Sequence, residues 1–63
     1  MPDLFFYYNG NIAGIEALSD EGLRWLQENC EADPYQWHQR TLYVDWRYAE
    51  AIRRAAGEEL VVN

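Results

Sequence analysis

Hydrophobic and polar positions alternate most regularly between Thr41 and Trp46, where Leu42, Val44 and Trp46 fall on one side and Tyr43 and Asp45 on the other. A period of two carried by branched and aromatic residues predicts a half-buried strand, and this one is expected at the centre of the sheet. The period then changes. Tyr48 or Ala49, Ile52, Ala55 and Ala56 recur at three- and four-residue spacing with Glu50, Arg53 and Arg54 opposite, which predicts a helix. Asp45 stands at the change, where a carboxylate can accept from the free N–H groups of the first helical turn. Glu50 is spaced to pair with Arg54, and Gly57 is expected to end the helix in the left-handed conformation.

Near the start of the chain, Leu4 to Tyr8 and Asn11 to Glu16 flank Asn9-Gly10, a strong hairpin signal. With Asn9 and Gly10 as the loop, Phe6 would oppose Ala13 and Leu4 would oppose Ile15, while Phe5, Tyr7 and Ile12 share the other face. Both faces are then apolar. One is expected to cover the helices, and the other to lie under a chain end or stand open to a partner.

Ser19 predicts a helix start, with Asp20 and Glu21 in the first turn where the helix dipole favours negative charge and Leu18 at staple spacing from Leu23. Leu23, Leu26 and Cys30 define its buried stripe, flanked by Gly22 and Trp25, and Asp33-Pro34 stops it. Residues 33 to 40 read as a loop. Leu60, Val61 and Val62 read as a short C-terminal edge strand, reached from the central strand by a right-handed parallel crossover. The expected fold is α+β, a small two-layer sandwich of one domain over residues 1 to 63, in the order ββαβαβ.

Composition changes this picture in three ways. At 63 residues the chain is close to the lower limit for an independent core. Three Trp, five Tyr and two Phe are expected to compensate by burying large rings. Eleven acidic residues against five arginines and no lysine give a net charge of −6, which disfavours direct nucleic-acid binding and favours a basic partner. The same acidity would also keep an aromatic-rich domain in solution. One cysteine allows no internal disulfide, and no basic leader or membrane-length apolar run is present, so a cytoplasmic location without membrane association is expected.

No catalytic, metal-binding or cofactor-binding constellation is evident. His38 is the only histidine and has no second ligand at metal spacing, and Cys30 has Asn29 and Glu31 rather than cations beside it, so both read as packing or surface residues. An enzyme would need His38 paired with a carboxylate in a cleft for which so small a domain has little room.

The run Glu21 to Asn29, then Trp37, then Leu42 to Ile52 resembles small α/β proteins of bacteriophages and mobile elements, in which a G-x-x-W-L-x-E-N helix precedes a strand and an R-Y-x-E-x-I helix. The resemblance implies an origin and an architecture, and carries over no functional residue. In size and charge alone the chain is also similar to anti-CRISPR and anti-restriction proteins. That likeness implies a non-enzymatic inhibitor that blocks the DNA-binding groove of a basic host protein, such as a type I CRISPR effector subunit, by DNA mimicry. Asp20, Glu21, Glu28, Glu31 and Asp33 are the candidate carboxylates for such a contact, with Tyr7 as an aromatic anchor and Trp37 either closing the end of the core or projecting as a second anchor. A solvated helix face explains the same acids without a partner. The alternative is a phage accessory or structural protein that self-associates through the sheet face of Phe5, Tyr7 and Ile12. A monomer or weak homodimer is expected.

Overall fold

An N-terminal hairpin forms around the Asn-Gly signal, as a computed structural model describing residues 1–63 shows. β1 (Leu4–Asn9) and β2 (Ile12–Ala17) pair antiparallel, with Phe6 opposite Ile15 and Leu4 opposite Ala17. The turn is one residue further along than expected. Its central residues are Gly10 and Asn11, and only Gly10 has positive φ (64°), the pattern of a type II′ turn with glycine first. Because the shift moves each partner by two residues, the sorting of side chains between faces is unchanged.

β4 (Thr41–Asp45) pairs with β2, and β3 (Trp37–His38) pairs with β4, giving a four-stranded antiparallel sheet in the order β1-β2-β4-β3. β4 is therefore an interior strand. β3 lies in the stretch expected to be loop. It follows a 3-10 turn at Pro34–Gln36 and meets β4 through Gln39 and Arg40, with Gln39 held at φ 56°. Leu4, Phe6, Ala13, Ile15, Ala17, Leu42 and Val44 make one apolar face, and the helices pack against it. The result is the α+β, two-layer fold.

α1 (Asp20–Asn29) begins at Ser19, whose Oγ accepts from Gly22 N at 3.0 Å. Its buried residues are Gly22, Trp25 and Leu26, while Leu23 and Cys30 are only half-buried. The buried face is turned from the expected stripe toward Gly22, whose lack of a side chain lets the Asp3 carbonyl come close: a Cβ there would lie 2.4 Å from Asp3 O. α2 (Trp46–Ala56) begins at Asp45, whose Oδ1 accepts from Arg47 N at 2.8 Å, and it buries Ala49, Ile52 and Ala56. Trp46 is the first helical residue, not the last of the strand, and is 42% exposed. Glu50 accepts from the Tyr8 hydroxyl instead of pairing with Arg54.

Gly57 is right-handed (φ −63°) and the chain rolls on through tight turns until Leu60 enters the core. Val62 then bridges Leu4 in parallel, and the Asn63 amide accepts from Phe6 N at 2.7 Å and donates to Phe6 O at 3.2 Å. The expected edge strand is thus a single bridge extended by a side chain. The rings are not the core. Of all the aromatic residues only Phe6 and Trp25 are buried; the rest of the interior is leucine, isoleucine, valine and alanine.

Asp3 ties three segments together. Its Oδ1 accepts from Ser19 Oγ at 2.7 Å and its Oδ2 from Val61 N at 3.0 Å, and these bonds hold its carboxyl below the usual 3.8. Asp45 is held below the same value by the Arg47 guanidinium and N–H. A carboxyl depressed on folding adds stability above its unfolded pKa, and that contribution is lost as pH falls through the folded value. Thermal unfolding should therefore be nearly constant from neutral pH to about pH 4 and decline below it. An Asp3→Asn variant should show a smaller acid decline, and an unchanged one would mean the Asp3 contacts do not form.

Candidate functional site

Three adjoining hollows run along the side of the molecule where α1 and α2 meet. The middle one is a groove of about 290 Å³ between the helices, walled by Trp25 and Asn29 of the first with Cys30 at its cap, and by Tyr48, Ala51, Ile52 and Ala55 of the second. Ala51 and Ala55 are exposed along its floor, one helical turn apart. Glu58 and Glu59 close one end. At Cys30 the groove meets a second hollow lined by Glu31, Ala32, Asp33 and Gln36. At Trp25 and Glu59 it meets a third, lined by Glu21, Arg24, Glu28 and Leu60.

The turn after α2 therefore brings Glu59 beside Glu21 and Glu28, residues about thirty to forty positions earlier in the chain. Trp25 Nε1 donates to Glu59 Oε2 at 3.0 Å, which fixes that carboxylate against the indole. None of Glu21, Glu28, Glu31, Asp33, Glu58 or Glu59 is in an ion pair. Arg24 is the only cation lining the three hollows. Like charges gathered this closely raise the local negative potential, and a basic surface docking there would relieve it.

The sequence-predicted residues divide between this edge and elsewhere. Glu21, Glu28, Glu31 and Asp33 lie on it. Asp20 is at the start of the same helix but is bridged to Arg40 at 3.1 Å, an exposed contact that partly neutralises it. Trp37 does not project: it sits at the edge of the inner face opposite Leu42, half-buried against the core. Tyr7 is on the far side of the sheet, so it cannot join the carboxylates in one contact. Glu58, Glu59, Tyr48, Ala51 and Ala55 belong to the edge and were not anticipated. The pair Ala51 and Ala55 at four-residue spacing, followed by two glutamates, is the signal that would have found them.

Tyr7 belongs to a second surface. On the outer face of the sheet, Tyr7, Gly14 and Tyr43 are cross-strand neighbours, and the two phenol oxygens approach to 3.1 Å above the glycine. The Tyr43 hydroxyl raises the Tyr7 pKa. Phe5 lies 6.1 Å from the Tyr7 ring centre, and Ile12 is 50% exposed beside them. The chain end runs along the edge of β1 and leaves this face open.

Burial raises the Cys30 thiol to about 11, which keeps it protonated and unreactive at neutral pH. No three His, Cys, Asp or Glu side chains converge as a metal-binding group, and no helix is long and apolar enough to cross a membrane. Comparison with protein-family models, with curated proteins and with solved structures found no match for this chain.

Proposed function

We propose that this chain is a non-enzymatic binding protein of phage or mobile-element type, which acts in the host cytoplasm by covering a basic, nucleic-acid-binding surface of a host protein. The observation that carries this reading is the continuous edge formed by Glu21, Glu28, Glu31, Asp33, Glu58 and Glu59, six carboxylates without ion-pair partners. Glu21 and Glu28 are about 10 Å apart along α1 at the usual helical rise. Rows of negative charge on that scale present a basic groove with a substitute for phosphates, so DNA mimicry is the mode of inhibition we favour. A contact of this kind forms quickly and weakens with salt.

Immobilised protein should retain a nucleic-acid-binding protein from bacterial lysate, type I CRISPR effector complexes being the first to offer. Excess duplex DNA should displace it, and salt raised from about 50 to 200 mM should release most of it. The doubly reversed variant Glu28→Lys, Glu31→Lys should fold normally and retain at least about tenfold less. Retention that survives the double reversal, or that DNA does not displace, would overturn the proposal.

The open aromatic face favours a second reading, self-association through Phe5, Tyr7, Ile12 and Tyr43. Sedimentation should then show a dimer that Tyr7→Lys dissociates. A strict monomer at high concentration would remove it.

A further inference from the structure

The groove between α1 and α2 has a chemical direction that the acidic edge as a whole lacks. Its floor and walls are Ala51, Ala55, Ile52, Cys30 and Trp25, and its only charged lining residues are Glu58 and Glu59, both at one end. Ala51 and Ala55 are exposed, so the floor is open from outside. At the other end, the Tyr48 hydroxyl accepts from Glu31 N at 3.2 Å and ties the start of α2 to the segment that follows α1. The trough therefore runs from the Tyr48 tie, beyond which Cys30 borders the hollow of Glu31 and Asp33, to the anionic end at Glu58 and Glu59.

We propose that this groove seats an arginine of the basic partner, with its methylene stem across Ala51 and Ala55 and its guanidinium at Glu58 and Glu59; this rests on the function proposed above. A long side chain that is apolar along its stem and cationic at its tip matches the trough in both parts. The acidic end selects arginine over lysine because two carboxylates are met by the several donors of one planar guanidinium, whereas an ammonium is a point charge. One of the two is already oriented: Glu59 Oε2 is held by the Trp25 indole, and no protein donor meets its other oxygen. Arrangement before binding lowers the ordering cost of the contact.

The test is an NMR titration of the ¹⁵N-labelled chain with a blocked peptide, acetyl-Gly-Leu-Arg-Gly amide, and with the same peptide carrying citrulline in place of arginine. The arginine peptide should shift the amides of Ala51, Ala55, Glu58 and Glu59 and the Trp25 indole N–H, with millimolar affinity, and citrulline should weaken it about tenfold or more. Ala55→Leu, at an exposed helical position, should leave the melting temperature unchanged and fill the trough, abolishing those shifts. Shifts centred on Tyr7 and Tyr43, equal binding of the citrulline peptide, or an unaltered titration of Ala55→Leu would overturn the assignment. The same variant in the lysate capture separates the two proposals. If capture is lost on reversing Glu28 and Glu31 but intact in Ala55→Leu, the groove is excluded while the acidic edge stands; if it is intact in both, both fall.

Discussion

Gly22→Ala should lower stability by about 1–3 kcal/mol, even though alanine is intrinsically the better helix former by about 1 kcal/mol. The added methyl would sit 2.4 Å from Asp3 O and 3.1 Å from Leu4 Cδ2. The nearer atom is backbone, held by its own bond from Leu18 N at 2.9 Å, so it cannot turn aside as a side chain would. Either α1 retreats from the sheet or the segment before β1 does, and Asp3 in that segment also holds Ser19 and Val61. Urea unfolding measures the loss as a fall in midpoint at constant slope. Gly14→Ala is the control. There the methyl meets only the Tyr7 ring tip, at 2.5 Å, and a ring on an open face can swing away. Its cost should be smaller, and equal costs would refute the account of Gly22.

Leu60→Ala should cost about 2–4 kcal/mol, the range for deleting a buried leucine side chain. Leu60 is among the buried core residues, and it packs there because the turns after α2 bring Leu60 N to Ala56 O at 2.7 Å. Domains of this size have only about 3–5 kcal/mol in total. Much of the variant should therefore be unfolded at 25 °C, with a collapsed amide spectrum and little far-ultraviolet dichroism. Val61→Ala, which removes an exposed side chain, should be close to neutral. A cooperative, wild-type melting curve for Leu60→Ala would show that the tail is not part of the core.

The elements that the sequence made legible are those with a local chemical cause. Asp45 and Ser19 cap their helices because a short acceptor side chain at a change of period reaches the free N–H groups of the first turn. The hairpin could be seen because Gly10 takes the positive φ the turn requires, although Asn9 and Asn11 compete to share the turn with it. What was hidden depends on contacts far apart in the chain. β3 is two residues long and its turn uses Gln39, not glycine, at φ 56°, so neither length nor turn chemistry announced it. Gly57 looked like a left-handed stop, but Leu60 needs the chain to keep curling and Gly57 stays right-handed. Burying only two of the rings reversed an inference from composition, since large aromatic side chains can serve a surface as well as a core. For the site, the α1 acids were visible along one helix. Their union with Glu58 and Glu59 was not, because a tertiary turn creates it. Tyr7 could have been separated from them by strand parity alone, since it alternates with Phe6, which is buried.

The Asn63 side chain, which meets Phe6 as another strand's backbone would, closes more than a local gap. Together with the Val61 carbonyl and its own N–H it occupies the donors and acceptors of Leu4 and Phe6 along the outer side of β1, and at the opposite border β3 presents only two residues before the chain turns. Neither border offers a long unpaired row, the template on which strands from separate molecules stack into fibrils. The exposed rings on the outer face therefore stand beside no long edge from which such stacking could start. Lengthening the sheet is thus the contact this fold least invites, and its open faces present side chains instead.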